Sequence, residues 1–201
     1  MIVKLLPLTE NKLKVLRFIY EKKETHLQET SKALKIHPYS LQKTLKSLKP
    51  ILEERKAGKT ILLSLDKKMP DYPDLLLTIE DYKLKTENKD LKLLIKNLQD
   101  LFSNNKNILS CVVFGSFARE AITETSDIDL LFIAKQKDEK ISKKCSQLSN
   151  LIGKEINHLI FSEKEFKKAL KIREPAIISI LEPSQRIIVI GRGYFLEFLM
   201  E

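Results

Sequence analysis

The chain has no tryptophan, only two cysteines, and no apolar run approaching the roughly 20 residues that a membrane-spanning helix needs. The last absence excludes an integral membrane protein of the helical kind. Cys111 and Cys145 are too few for a disulfide framework and give no metal-ligand spacing. Cys111 falls inside an apolar run and reads as a small core residue, not a reactive thiol. Met1 to Leu8 is too short and turns polar too soon for a signal peptide, so the expected setting is cytoplasmic. No internal repeat or low-complexity tract is present. The missing tryptophan, with lysine heavily favoured over arginine, fits a low-GC or thermophilic source.

What the chain does have is apolar content and an uneven charge. Hydrophobic residues make up 43% of 201, enough to bury a core. The net charge is +9. Residues 1–67 carry 15 Lys and Arg against 7 Asp and Glu, while residues 68–201 carry 21 against 20. Nearly all of the excess is in the first third, which suggests a polyanion-binding module joined to a neutral one.

The most informative stretch runs from Ile108 to Phe132. Leu109 to Phe114 is short, apolar and β-branched, as a buried strand is. Gly115-Ser116 ends it, and Phe117 to Ile122 has room for a short helix. Ser126 to Ala134 reads as a second strand, on which Asp127 and Asp129 leave the same face while Ile128 points to the core. Two adjacent carboxylates repel each other unless a cation neutralises them. Mg²⁺ is a hard ion that takes carboxylate and phosphate oxygens together. Gly115 lets the backbone approach a ligand closely, and Ser116 offers an N–H and a hydroxyl where phosphate binds well. Together these residues describe a site for a metal-bound nucleoside triphosphate.

Gly115-Ser116, ten residues Phe117 to Ser126, then Asp127-Ile128-Asp129 resembles the nucleotidyltransferase superfamily of DNA polymerase β. Within it, the spacer matches the minimal nucleotidyltransferases that act as protein-adenylylating antitoxins. The resemblance covers about the last 110 residues and implies an α+β fold with a small mixed sheet flanked by helices. It implies Mg²⁺ held by Asp127 and Asp129, ATP or another NTP with its phosphates on Gly115 and Ser116, and transfer of NMP, first of all AMP, to a hydroxyl. A protein acceptor such as a HEPN-type toxin follows from the same likeness. The family's third acid, which helps hold metal and takes the proton, falls on Asn157, which cannot serve as a base. Glu155, two residues earlier and so on the same strand face, is the candidate substitute. His158 points to the opposite face of a regular strand. Glu120 stands where the family often has glycine or another small residue.

Upstream, Glu10 to Lys22 places Leu13, Leu16, Phe18 and Ile19 near one helical face, with Val15 and Tyr20 flanking and Thr9 as cap. His26 to Leu34 gives a second helix with Leu27, Ala33 and Leu34 inward. Tyr39 to Leu48 gives a third with Leu41, Leu45 and Leu48 inward. Ile51 to Glu54 and Thr60 to Leu65 read as strands joined by a basic turn, Arg55 to Lys59. Three helices and a basic hairpin in that order resemble a winged helix-turn-helix. The likeness implies contact with double-stranded DNA through Ser40, Gln42, Lys43 and Lys46 on the third helix and Arg55, Lys56 and Lys59 on the wing. Winged helices also bind proteins, and surface lysines are often only solvated.

The expected organisation is a head at 1–67, a linker helix at 68–87 and a nucleotidyltransferase domain at 88–201. The linker stripe of Leu75, Leu76, Ile79 and Tyr82 is core or a homodimer surface. Downstream, Asp138 to Ile152, a capping-box helix opening at Ser162 and Glu165, Ala176 to Leu181 and Gly191 to Met200 read as helices. Ile156 to Phe161 and Arg186 to Ile190 read as strands. Two functions compete with the enzyme that has a DNA-binding head. One is a DNA-binding regulator whose second domain only senses nucleotide, which Asn157 favours. The other is an aminoglycoside-type modifying enzyme, which has no evident use for a basic head.

Overall fold

The computed structural model describes residues 6–200. The first five residues, which belong to the segment read above as too short for a signal peptide, lie outside the described residues. Two compact units divide the chain, Met1–Tyr82 and Lys83–Glu201.

The first unit begins with α1 (Glu10–Lys22), which buries Val15, Leu16, Ile19 and Tyr20 at helical spacing. Val15 and Tyr20 thus belong to the buried face and do not flank it; Leu13 and Phe18 are only half-buried. Thr9 makes no side-chain cap. A short strand, β1 (Thr25–His26), precedes α2 (Leu27–Leu34). Nothing in the sequence marks β1, because its two residues owe their strand character to pairing with Leu62 and Leu63. In α2, Ala33 is exposed and Thr30 is the buried residue. The Thr30 hydroxyl donates to the His26 carbonyl at 3.0 Å, so its polar atom is satisfied in the core. Pro38 opens α3 (Pro38–Leu48), where its missing N–H costs nothing. Leu41 and Leu48 are fully buried and Leu45 is half-buried.

Next come β2 (Leu52–Ala57) and β3 (Thr60–Leu65), an antiparallel hairpin in a sheet of order β1-β3-β2. The basic turn expected at Arg55 to Lys59 shrinks to Gly58-Lys59. Arg55, Lys56 and Ala57 stay in the ladder opposite Leu62, Ile61 and Thr60. Two-residue hairpins need positive φ, and Gly58 supplies it at +59°. Helix α4 (Tyr72–Lys83) follows. Its Leu75, Leu76 and Ile79 are buried within the chain, so this part of the stripe is core and is not free for a homodimer contact. Tyr20 on α1 donates to the buried Glu80 on α4 at 3.0 Å.

The second unit is built on a mixed four-stranded sheet of order β6-β5-β4-β7, with β4 (Ile108–Phe114), β5 (Ile128–Ala134), β6 (Ile156–Ser162) and β7 (Arg186–Ile190). β4 pairs antiparallel with both β5 and β7, and β5 pairs parallel with β6. The parallel pair requires a crossover, which α7 (Glu139–Ile152) provides between Asp138 as N-cap and Gly153 at φ +67° as C-cap. One face of the sheet meets α7 and α5 (Lys89–Phe102), burying Leu98, Phe102, Leu130, Phe132, Cys145 and Leu148. Phe102 and Phe132 meet edge to face at 5.0 Å. Both cysteines are buried, and burial pushes the Cys111 thiol well up and the Cys145 thiol to about 12. Further elements are α6 (Gly115–Ala118), α8 (Glu163–Lys171), α9 (Pro175–Leu181) and α10 (Arg192–Met200). Phe166 of α8 packs against Phe195 and Phe198 of α10 at 6.1 and 5.1 Å. No helix among the described residues is long and apolar enough to cross a membrane.

Candidate functional site

Strand β4 ends beside the start of β5, and the motif lies there. Phe114, the last residue of β4, pairs with Asp129, and Asp129 pairs with Asn157 on β6. Gly115 then turns the chain at φ +70° into α6, a conformation that favours glycine. A Cβ built on Gly115 would collide with the Asp129 carboxylate, so the glycine makes room for the acid. Helix α6 is shorter than the Phe117 to Ile122 segment expected. Glu120 adopts φ +55° and Ala121 N–H turns back to the Ser116 carbonyl at 3.0 Å, ending the helix. The Ser116 hydroxyl reaches the Asp127 carbonyl at 3.5 Å.

Asp127 is exposed and immediately precedes β5, so that strand starts two residues later than expected. Asp129 is half-buried. Burial pushes its carboxyl above the ordinary range. The Asn157 amide, donating to it, works against that shift, the like charge of Asp127 adds to it, and Arg119 offsets it. Arg119 itself is exposed and donates to Gln185 at 2.9 Å.

Asn157 therefore sits beside Asp129, at the position where a third acid was sought. Glu155 is exposed just ahead of β6, and its carbonyl accepts the Ile128 N–H at 2.9 Å. Among the described residues no group of three His, Cys, Asp or Glu is placed to hold a metal ion. What the site offers is two carboxylates beside the backbone turn at Gly115-Ser116. Mg²⁺ fits such a donor set, since it commonly binds through one or two carboxylates and substrate phosphates while keeping water. His158 turns away as expected, its Nε2 lying 3.0 Å from the Ser142 hydroxyl on α7.

Sequence reasoning missed Arg119, Gln185 and Lys154. Lys154 donates to the Thr123 and Glu124 carbonyls at 3.2 and 3.0 Å. A lone lysine in a turn carries no signal of such contacts, because in sequence it looks like any solvated lysine.

In the first unit, Tyr39, Ser40, Gln42, Lys43 and Lys46 are all exposed on α3, with the Lys43 ammonium 4.6 Å from the Tyr39 ring centre. Lys56 and Lys59 are exposed on the hairpin. Arg55 is exposed too, but its guanidinium is held on both Glu24 carboxylate oxygens at 2.9 Å.

Residues 96–180 match the family described as polymerase beta, nucleotidyltransferase. A Methanocaldococcus jannaschii protein described as a candidate protein adenylyltransferase is 31% identical over 84 residues, which cover 42% of this chain and 82% of that protein. A solved structure described as a candidate nucleotidyltransferase from Sulfolobus solfataricus is 26% identical and covers 39% of this chain and 71% of its own. Its TM-score is 0.28, so the sequence matches carry the relationship. With its paired acids, its close-approach glycine and a relative matched over most of that relative's length, this chain belongs to the polymerase β nucleotidyltransferase family.

Proposed function

We propose that the second unit transfers a nucleoside monophosphate, AMP in the first instance, from a triphosphate to a hydroxyl on a protein. The observation that carries this reading is the Asp127–Asp129 pair at a strand mouth, with Gly115 left bare where it faces Asp129. Asp127 and Asp129 would hold Mg²⁺, which when bound neutralises charge on the triphosphate and withdraws electrons from its α-phosphorus. Gly115 and Ser116 bind the β- and γ-phosphates. The acceptor oxygen forms a bond to the α-phosphorus, the bond to the bridging oxygen breaks, and pyrophosphate leaves. Positioning and charge neutralisation supply most of the acceleration in such transfers. Asn157 keeps Asp129 oriented, and Glu155 is the proposed acceptor of the hydroxyl proton. The printed description of the archaeal relative supports a protein as acceptor, and a HEPN-type toxin is the first to try.

The first unit is proposed as a winged helix-turn-helix head that binds double-stranded DNA. What supports it is the exposed basic face of α3 beside the basic hairpin. Asn157 beside Asp129 favours a second reading, a DNA-binding regulator whose second unit only senses nucleotide.

The test is incubation with labelled ATP and Mg²⁺, alone and with the product of a neighbouring gene, followed by intact mass. Transfer is expected in the native protein and lost in Asp127→Asn/Asp129→Asn, which should fold and gain thermal stability without metal as the mutual repulsion disappears. Nucleotide binding without any transfer would decide for the sensor. Failure of the double variant to fold would make the pair structural.

A further inference from the structure

Asp127 is the exposed member of the acidic pair, and it lies outside every strand. Its carboxylate must nevertheless stay beside Asp129, which carries the same charge. Two ties bracket it. On its C-terminal side, Ile128 N–H donates to the Glu155 carbonyl at 2.9 Å. On its N-terminal side, the Lys154 ammonium donates to the Thr123 and Glu124 carbonyls at 3.2 and 3.0 Å. Both ties come from one short turn, that between α7 and β6. That turn is itself fixed, since Gly153 caps α7 and the Ser149 hydroxyl donates to the Lys154 carbonyl at 2.7 Å.

The segment between the ties is a tight turn. Thr123 N–H donates to the Ser126 hydroxyl at 2.8 Å, and Ser126 N–H returns to the Thr123 carbonyl at 3.2 Å. An ammonium satisfying two carbonyls of this turn holds its backbone from outside. It also brings one positive charge to a loop that carries Glu124 and Asp127.

We infer that Lys154 is a positioning residue, a clamp that fixes the Thr123–Ser126 turn so that Asp127 stays beside Asp129 when metal and nucleotide bind. The inference rests on the magnesium-nucleotide reading of the site. Lys154 touches neither reacting group and acts through the backbone of the turn. Partners that orient metal ligands in this way typically matter by about 10–100-fold in metal affinity.

The test uses the full chain, with Mn²⁺ as probe and α,β-methylene-ATP to prevent turnover. Free Mn²⁺ is read by electron paramagnetic resonance, and amide hydrogen exchange is followed at Ser126. Lys154→Met is expected to weaken Mn²⁺–nucleotide binding by about 10-fold or more and to speed exchange at Ser126. Lys154→Arg keeps a cationic donor able to reach both carbonyls and should restore both readings. A part-exposed lysine with these contacts should leave the melting temperature within a few degrees, which a thermal scan checks. Native protein that binds no Mn²⁺ with the nucleotide would overturn the site reading and this inference with it. Native binding left unchanged in Lys154→Met, or unchanged Ser126 exchange, would overturn the clamp alone. So would an arginine variant as weak as the methionine one.

Discussion

At the scale of single residues, Glu165 gives a test that depends on no ligand. Lys137 holds its carboxyl down, helped by the backbone and hydroxyl of Ser162, to about 2. A depressed carboxyl stabilises the fold above its ordinary range, and that contribution disappears as pH falls through the lowered value. Stability should therefore decline between about pH 4.5 and about pH 2, and Glu165→Gln should flatten that part of the profile in acid-unfolding scans. Both halves of this capping box were readable from Ser162 and Glu165 alone, because the pattern is local. The reach of Lys137 to Glu165 at 2.8 Å was not, since it joins residues from different turns. Gly115 allows a second residue-level test. Gly115→Ala adds a Cβ that meets the Asp129 carboxylate and sits at a φ costing roughly 1–2 kcal/mol for other residues. Nucleotide transfer should fall by at least ~10-fold while the sheet stays folded by circular dichroism. Asn157→Asp places a third acid beside Asp129 and should raise the rate, whereas Glu155→Gln should lower it by ~10²–10⁴-fold if Glu155 takes the proton. An unchanged rate in Glu155→Gln would remove that assignment.

At the scale of elements, α3 and the hairpin respond differently to the same experiment. If α3 lies against DNA, Lys43→Ala and Lys46→Ala should each weaken binding by ~1 kcal/mol and reduce the salt slope by about one. Arg55→Ala should cost less than Lys56→Ala, because the Arg55 guanidinium is already held by Glu24. Equal losses at the two positions, in titrations at several salt concentrations, would show that the bridge opens on DNA. Elements with strong periodicity or explicit caps were legible in the sequence, as α7, α9 and β7 were almost to the residue. Those defined by distant pairing were not. Strand β1 exists only opposite β3, and the early end of α6 follows from a backbone reversal at Glu120. The acidic pair and Gly115 could be read because motif and chemistry coincide within fifteen residues. Arg119 and Lys154 could not, because their partners come from other parts of the fold.

At the scale of the whole molecule, the boundary between the units falls at the end of α4. Lys83 is the last residue of that helix, only 1% exposed, and its ammonium donates to the carbonyls of Pro183 and Arg186. A fragment beginning at 88 lacks this donor and leaves buried carbonyls unpaired, at a cost of about 1–3 kcal/mol for each group. A fragment beginning a few residues before Lys83 should thus melt several degrees higher than one beginning at 88, and Lys83→Met should erase the difference. Equal melting temperatures would show that the buried ammonium contributes nothing net.

That lysine also sets an order of events during synthesis. Its two acceptors arrive 100 and 103 residues later, and β7, which completes the sheet beside β4, begins with the second of them. At about 5–20 residues per second, the ribosome leaves Lys83 hydrated for roughly 5–20 s while β4, β5 and β6 emerge. Strands β4, β5 and β6 can therefore pair before the unit closes, with one edge of β4 open. The open edge of β4 is covered, and the Lys83 ammonium meets both of its acceptors, only once residues 183–190 have emerged.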